Sequence, residues 1–259
     1  MTLPPLDLPA WLRHFRRNAT RPPQVPWDDP YALTDMEFHR IAHSIATFQL
    51  GEQSEGHALR ELARHFAARS DAALLPAITT LFVQEEQLHA ALLARFMEQQ
   101  GIPRLRRQWT DRVFRRLRRL GGFELAITVL TTAEVLALRY YPALRAATGS
   151  EVLRAICTRL LADERAHVHY ESQLLHALRR RRGPRAAARS WARHRRFCIA
   201  TAFVVWMGHR RVLRPAYGSW RHFAAAVRSE FADFEALGAA FSPAAALESA
   251  LRYAAGTRP

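Results

Sequence analysis

Two short segments, residues 83–90 (VQEEQLHA) and 161–168 (LADERAHV), each carry a glutamate and a histidine three positions apart. On an α-helix, residues i and i+3 share a face about one turn apart, so Glu86 with His89, and Glu164 with His167, each converge on one point. A carboxylate oxygen and an imidazole nitrogen meeting there form half of a transition-metal site. With 15 Glu and 12 His in 259 residues, chance placement gives about 0.7 such pairs, so the spacing alone is a weak signal. What strengthens it is a third acid ahead of each pair. Glu52, in 48–56 (FQLGEQSEG), precedes Glu86 by 34 residues and interrupts an apolar stripe of Ile45, Phe48 and Leu59. Glu134, in 130–137 (LTTAEVLA), precedes Glu164 by 30 and stands among Ile127, Leu130, Leu138 and Tyr141. One unit is written twice.

Stripe positions face a core, and an ionised carboxylate is almost never fully buried without a partner. Four carboxylates in one interior require positive charge. Neutral imidazoles do not supply it, whereas two divalent or trivalent metal ions do. Taken singly, each residue reads as a surface Glu or as a core His bonded to a carbonyl. Taken together, the six read as a metal site.

The order Glu52, Glu86-x-x-His89, Glu134, Glu164-x-x-His167 resembles the ferritin-like di-iron carboxylate proteins, in which two helices each give a Glu and two others each give Glu-x-x-His. The resemblance covers residues 35–180, and Gly51-Glu52-Gln53-Ser54 looks like the Gly-Glu-Ser segment of the first metal helix of rubrerythrins. It implies an all-α, antiparallel four-helix bundle with a long crossover and additional C-terminal helices. It also implies two iron ions, or a Mn/Fe pair, bridged by Glu86 and Glu164. His89 and His167 would cap one ion each, with Glu52 and Glu134 as terminal ligands. Glu55 shares the face of Glu52 and is the alternative ligand, or a neighbour behind the ligands; Tyr141 borders the cluster or is core. His169 turns away, to the surface or behind the ligands.

Punctuation along the chain divides it into a Pro-rich arm (1–33), a bundle (34–182) and a helical extension (183–259). The arm holds seven Pro together with Trp11 and Trp27, and 9–17 forms a short helix with Pro in its first turn. Leu33-Thr-Asp-Met-Glu-Phe38 is a strong helix start, with Thr34 and Glu37 as capping box and Leu33 with Phe38 as staple. The spacing predicts helices over 34–69, from Asp71 or Pro76 to 100, 110–120 within the crossover, 123–148 with a kink at Pro142, and 150–182. Further helices follow over 185–213, 219–237 and 242–255. The level of Glu52 before its turn matches that of Glu86 after it, and Glu134 matches Glu164 in the same way.

Net charge is +15, yet all 38 basic residues are Arg, which points to a general bias toward arginine rather than a selected polyanion partner. Residues 104–119 hold eight Arg and 179–196 hold nine, expected as solvated surface ahead of a nucleic-acid groove. Cys157 and Cys198 lack paired spacing, so neither a disulfide framework nor a cysteine zinc site is indicated. The longest apolar run, 197–207, is shorter than the roughly 20 residues of a membrane span, and the N-terminus lacks a secretory pattern. A cytoplasmic protein without a transmembrane segment is the expectation.

By this resemblance the chain is a di-iron oxidoreductase: an oxidase or oxygenase that uses O2, a small organic substrate and an electron donor the sequence does not name. Ferritin- or rubrerythrin-like iron oxidation or peroxide detoxification is the alternative, weakened by the absence of any Cys-x-x-Cys pair. A di-iron tRNA hydroxylase-like enzyme is the third reading, and the C-terminal helices are one candidate for a homodimer interface.

Overall fold

The computed structural model describes residues 6–53, 56–105 and 121–238. Among these it is all-helical: α1 (Leu8–Ala19), α2 (Asp35–Glu52), α3 (His57–Ala67), α4 (Leu75–Gln99), α5 (Phe123–Ala146), α6 (Glu151–Arg180), α7 (Pro184–Tyr217) and α8 (Trp220–Leu237). None of these helices is long and apolar enough to cross a membrane. The helices expected over 110–120 and 242–255 lie outside the described residues, as does most of the first arginine cluster.

Helix α2 begins as its sequence requires. The Thr34 side chain accepts the Glu37 N–H, and the Glu37 carboxylate accepts the Thr34 N–H. That carboxylate also accepts the Tyr31 hydroxyl at 2.9 Å and the Gly149 N–H at 2.6 Å, so one side chain ties the arm, α2 and the α5–α6 turn together. The helix does not run on to residue 69. It stops at Glu52 and resumes as α3 after Gly56, which adopts a left-handed φ of 62°. A Cβ at Gly56 would lie 2.3 Å from Val83 Cγ1, so glycine meets both the backbone sign and the close approach of α4. The break leaves Glu52 as the last residue of α2.

The Leu33 N–H, at the start of α2, donates to Gln100 at the end of α4, and Gln49 donates to the Ala90 carbonyl. Helices α2 and α4 therefore run antiparallel. Helices α5 and α6 do the same: Glu124 near the start of α5 pairs with Arg179 and Arg182 near the end of α6, while Glu134 meets His167 midway. The chain ends α4 with Gly101 at φ 65° and the Ile102 N–H on the Met97 carbonyl, and it caps α6 with the Ser150 hydroxyl. Helix α5 continues through Pro142. Helices α4 and α6 pack on each other, which closes the two pairs around one interior.

Helix α1 lays Leu8, Leu12 and Phe15 into the core and hydrogen-bonds Trp11 Nε1 to Gln173 at 2.8 Å. Trp27 takes Arg95 over its ring at 4.0 Å. Helices α7 and α8 pack on α5 and α6. Helix α7 runs to Tyr217, with a non-helical residue, His209, inside it. The second arginine cluster is not wholly surface: Arg179 is buried under Trp191 and paired with Glu124.

Replacing Thr34 by Ala should cost about 1 kcal/mol of stability. Burial pushes the Glu37 carboxyl up, but hydrogen bonds from Gly149, Thr34 and Tyr31 outweigh it and bring its pKa down to about 2. A depressed carboxyl stabilises the fold above its unfolded pKa of 4.5, and loses that contribution as pH falls toward 2. In denaturant unfolding, Glu37→Gln should therefore be less stable than wild type near pH 6, with the gap closing on acidification through that window.

Candidate metal centre

All six side chains singled out by their spacing meet between the helix pairs. They form two overlapping groups: Glu52, Glu86, His89 and Glu164 in one, Glu86, Glu134, Glu164 and His167 in the other. In each group one ligand atom per residue lies within 4.8 Å of all the others. Glu86 and Glu164 belong to both. His89 Nδ1 is 3.6 Å from oxygens of Glu86 and of Glu164. His167 Nδ1 is 3.3 Å from Glu86, 3.6 Å from Glu164 and 3.9 Å from Glu134. These spacings are too long for good hydrogen bonds. They match donor atoms around one ion, since ligands about 2.1 Å from a metal stand about 3 to 4 Å from each other. Glu55 lies outside the described residues. Tyr141 does border the cluster, its hydroxyl donating to Glu52 Oε1 at 2.7 Å.

Behind the cluster stands a layer the spacing did not single out. His89 Nε2 is 3.0 Å from Asp163, and His167 Nε2 is 2.9 Å from Glu85. Asp163 and Glu85 are the residues immediately before the two shared glutamates, so each helix orients the other's imidazole. An ionised carboxylate only accepts, so the proton at each contact sits on Nε2 and Nδ1 is left facing the glutamates. The Asn18 amide, from α1, donates to both Glu85 and Asp163 at 2.9 Å. Arg159 donates to Asp163 at 2.7 Å. Burial pushes the Asp163 carboxyl up, but hydrogen bonds from His89, Arg159 and Asn18 hold it well below the usual carboxylate range. Phe15 stacks on His167, and Phe82 lies 4.5 Å from the same ring. The acid at the same offset in both repeats was a readable signal. Asn18 had none, because its contacts span 67 and 145 residues.

Glu86 Oε1, Glu164 Oε2, both oxygens of Glu134 and the Nδ1 atoms of His89 and His167 are buried without a hydrogen-bond partner. Orphaned donor atoms aimed at a common point fit a bound cation. Burial, then the charges of Glu86 and Glu164, push the Glu52 carboxyl well up. Burial, then the neighbouring Glu171, do the same to Glu134. Burial raises Glu164 too, but the adjacent His167 and His89 rings bring it below its ordinary value. Burial opposes protonation of both imidazoles, yet the bond to Asp163 and the nearby Glu164 carboxylate raise His89 well above the usual range. The nearby Glu164 carboxylate and the bond to Glu85 raise His167 likewise. In the ion-free protein, protons on the two rings balance part of the carboxylate charge.

His169 is not at the surface. It is buried edge-on against Trp11 and within 3.2 Å of Gln173. Cys157 and Cys198 are free and buried, away from the ligand groups. No protein-family model, curated protein or solved structure matches the chain.

A cation that binds the native cluster and not the unfolded chain stabilises by about 2.7 kcal/mol at a hundred times its Kd. Groups whose pKa is raised on folding stabilise the ion-free protein below their unfolded value, and that contribution is lost as pH rises through the folded value. For Glu171 the window runs from 4.5 to about 7. A bound ion replaces those protons. The increase in thermal midpoint on adding Mn2+, relative to chelated protein, should be larger at pH 7.5 than at pH 5.5. An increment independent of pH would contradict this balance.

Proposed function

We propose that the chain is a ferritin-like di-metal carboxylate protein, holding two iron ions or a Mn/Fe pair, and that it acts as an O2-dependent oxidase or oxygenase on a small organic substrate. The observation that carries this reading is the pair of ligand groups sharing Glu86 and Glu164, with partnerless imidazole nitrogens turned inward. Four carboxylates with one imidazole for each position suit iron or manganese, whereas zinc and copper favour sites richer in imidazole or thiolate. When bound, such a pair of ions supplies reducing equivalents to O2.

The chain's own residues supply the rest. Glu86 and Glu164 span both positions, so the spacing between the positions is set by α4 and α6. Asp163 and Glu85 fix the imidazole orientation through Nε2, and Asn18 locks those two acids to each other. The Tyr141 hydroxyl holds Glu52 at the end of α2. Phe15 and Phe82 cover His167 and keep water from that side.

Anaerobically reconstituted protein should bind two Fe2+ per chain, and admission of O2 should produce a new near-ultraviolet absorption. Glu86→Ala should lose stoichiometric binding at both positions, because Glu86 serves both. His89→Ala should retain the second. Two ions retained by Glu86→Ala would refute the ligand assignment. An O2-inert loaded protein would refute the oxidase reading while leaving the metal site standing.

A further inference from the structure

One buried acid has no place in the six-residue set. Glu171 lies on α6 seven residues beyond Glu164 and four beyond His167, on the same face, and it is fully buried. Among the described residues no other group donates a hydrogen bond to either of its oxygens, or to either oxygen of Glu134 beside it. Thr131 is close by, but its hydroxyl proton is committed to the Ile127 carbonyl at 2.8 Å. Glu171 therefore stands beside the second ligand group, next to Glu134, and outside the set whose ligand atoms lie within 4.8 Å of one another.

The two halves of the repeat differ here. The residue seven beyond Glu86 is Leu93, fully buried in the apolar core. The first group instead has the Tyr141 hydroxyl on Glu52. One position therefore carries a terminal carboxylate satisfied by a phenol. The other carries two adjacent carboxyl groups to which no other side chain donates.

Resting on the di-metal reading above, we infer that Glu171 is a seventh ligand, belonging to the Glu134/His167 position. It makes that position the first of the two to take a hard divalent cation such as Mn2+ or Fe2+. A buried carboxylate without a donor must be neutralised. An ion between Glu134 and Glu171 neutralises both, and the additional negative ligand strengthens that position over its neighbour. The first position, completed by Glu52 and His89, fills second.

The test is an anaerobic Mn2+ titration of metal-free protein, with free Mn2+ followed by its EPR signal. Wild type should bind two ions in two steps of unequal affinity. Glu171→Gln keeps the side-chain volume and should weaken the tighter step by at least about tenfold, so that the steps merge, while the total stays at two. Glu171→Asp keeps the charge but retracts the oxygens. Ligation predicts a loss comparable to that of Gln, and a long-range field effect predicts affinity near wild type. Circular dichroism and the unfolding midpoint of each metal-free variant separate a folding defect from a binding one; His89→Ala, which should lose the weaker step only, confirms which position each step reports. A wild-type protein that fills both positions with one affinity, or a Glu171→Gln isotherm superimposed on wild type, overturns the inference and leaves the di-metal reading intact. Failure of wild type to bind two ions overturns both.

Discussion

A carboxylate deprived of water must be given a positive charge or a proton, and in this molecule that requirement falls on one small volume. Glu52, Glu86, Glu134, Glu164 and Glu171 are all buried between α2, α4, α5 and α6, together with His89 and His167. Helices closing over that many acids gain nothing electrostatically from the acids alone. The antiparallel pairing that brings them level is favoured by the apolar residues around them, such as Ile45, Phe82, Leu93, Leu138 and Leu160. The core therefore stabilises the fold, and the polar cluster within it is retained at a cost that a ligand can offset.

The layer behind the cluster fixes the orientation of its two imidazoles. Asp163 and Glu85 accept from the imidazoles of the opposite helix, and Asn18 joins the two acids. Because Asn18 comes from α1, the N-terminal segment is a wall of the site as well as a strap across the bundle. The centre thus draws on five helices, and the two positions within it have unlike surroundings: Tyr141 on one side, Glu171 on the other.

The repeated Glu-x-x-His spacing, with an upstream Glu inside each apolar stripe, was enough to choose the six residues of the two ligand groups, because helical periodicity converts spacing directly into a shared face. Helix ends were legible where a side chain makes the cap, as at Thr34, Ser150 and Ser219. The break between α2 and α3 was not. At Gly56 the chain passes close to Val83 of another helix, and no local pattern around residue 56 carries that contact. The choice between surface and interior for His169 was not legible for the same reason, since its cover is Trp11, far along the chain. Glu85, Asp163 and Glu171 carried local signals, the first two as the acid preceding each shared Glu and the third at i+4 from His167. A search limited to the motif residues passes over such neighbours.

The most direct test of the account is anomalous X-ray scattering from crystals of protein loaded anaerobically with Fe2+ or Mn2+, with data collected above the edge of the metal. Two peaks should lie between α4 and α6, each contacted by both Glu86 and Glu164, with Nδ1 of His89 on one and Nδ1 of His167 on the other. No peak among these residues, or ions bound only at the surface, would contradict it.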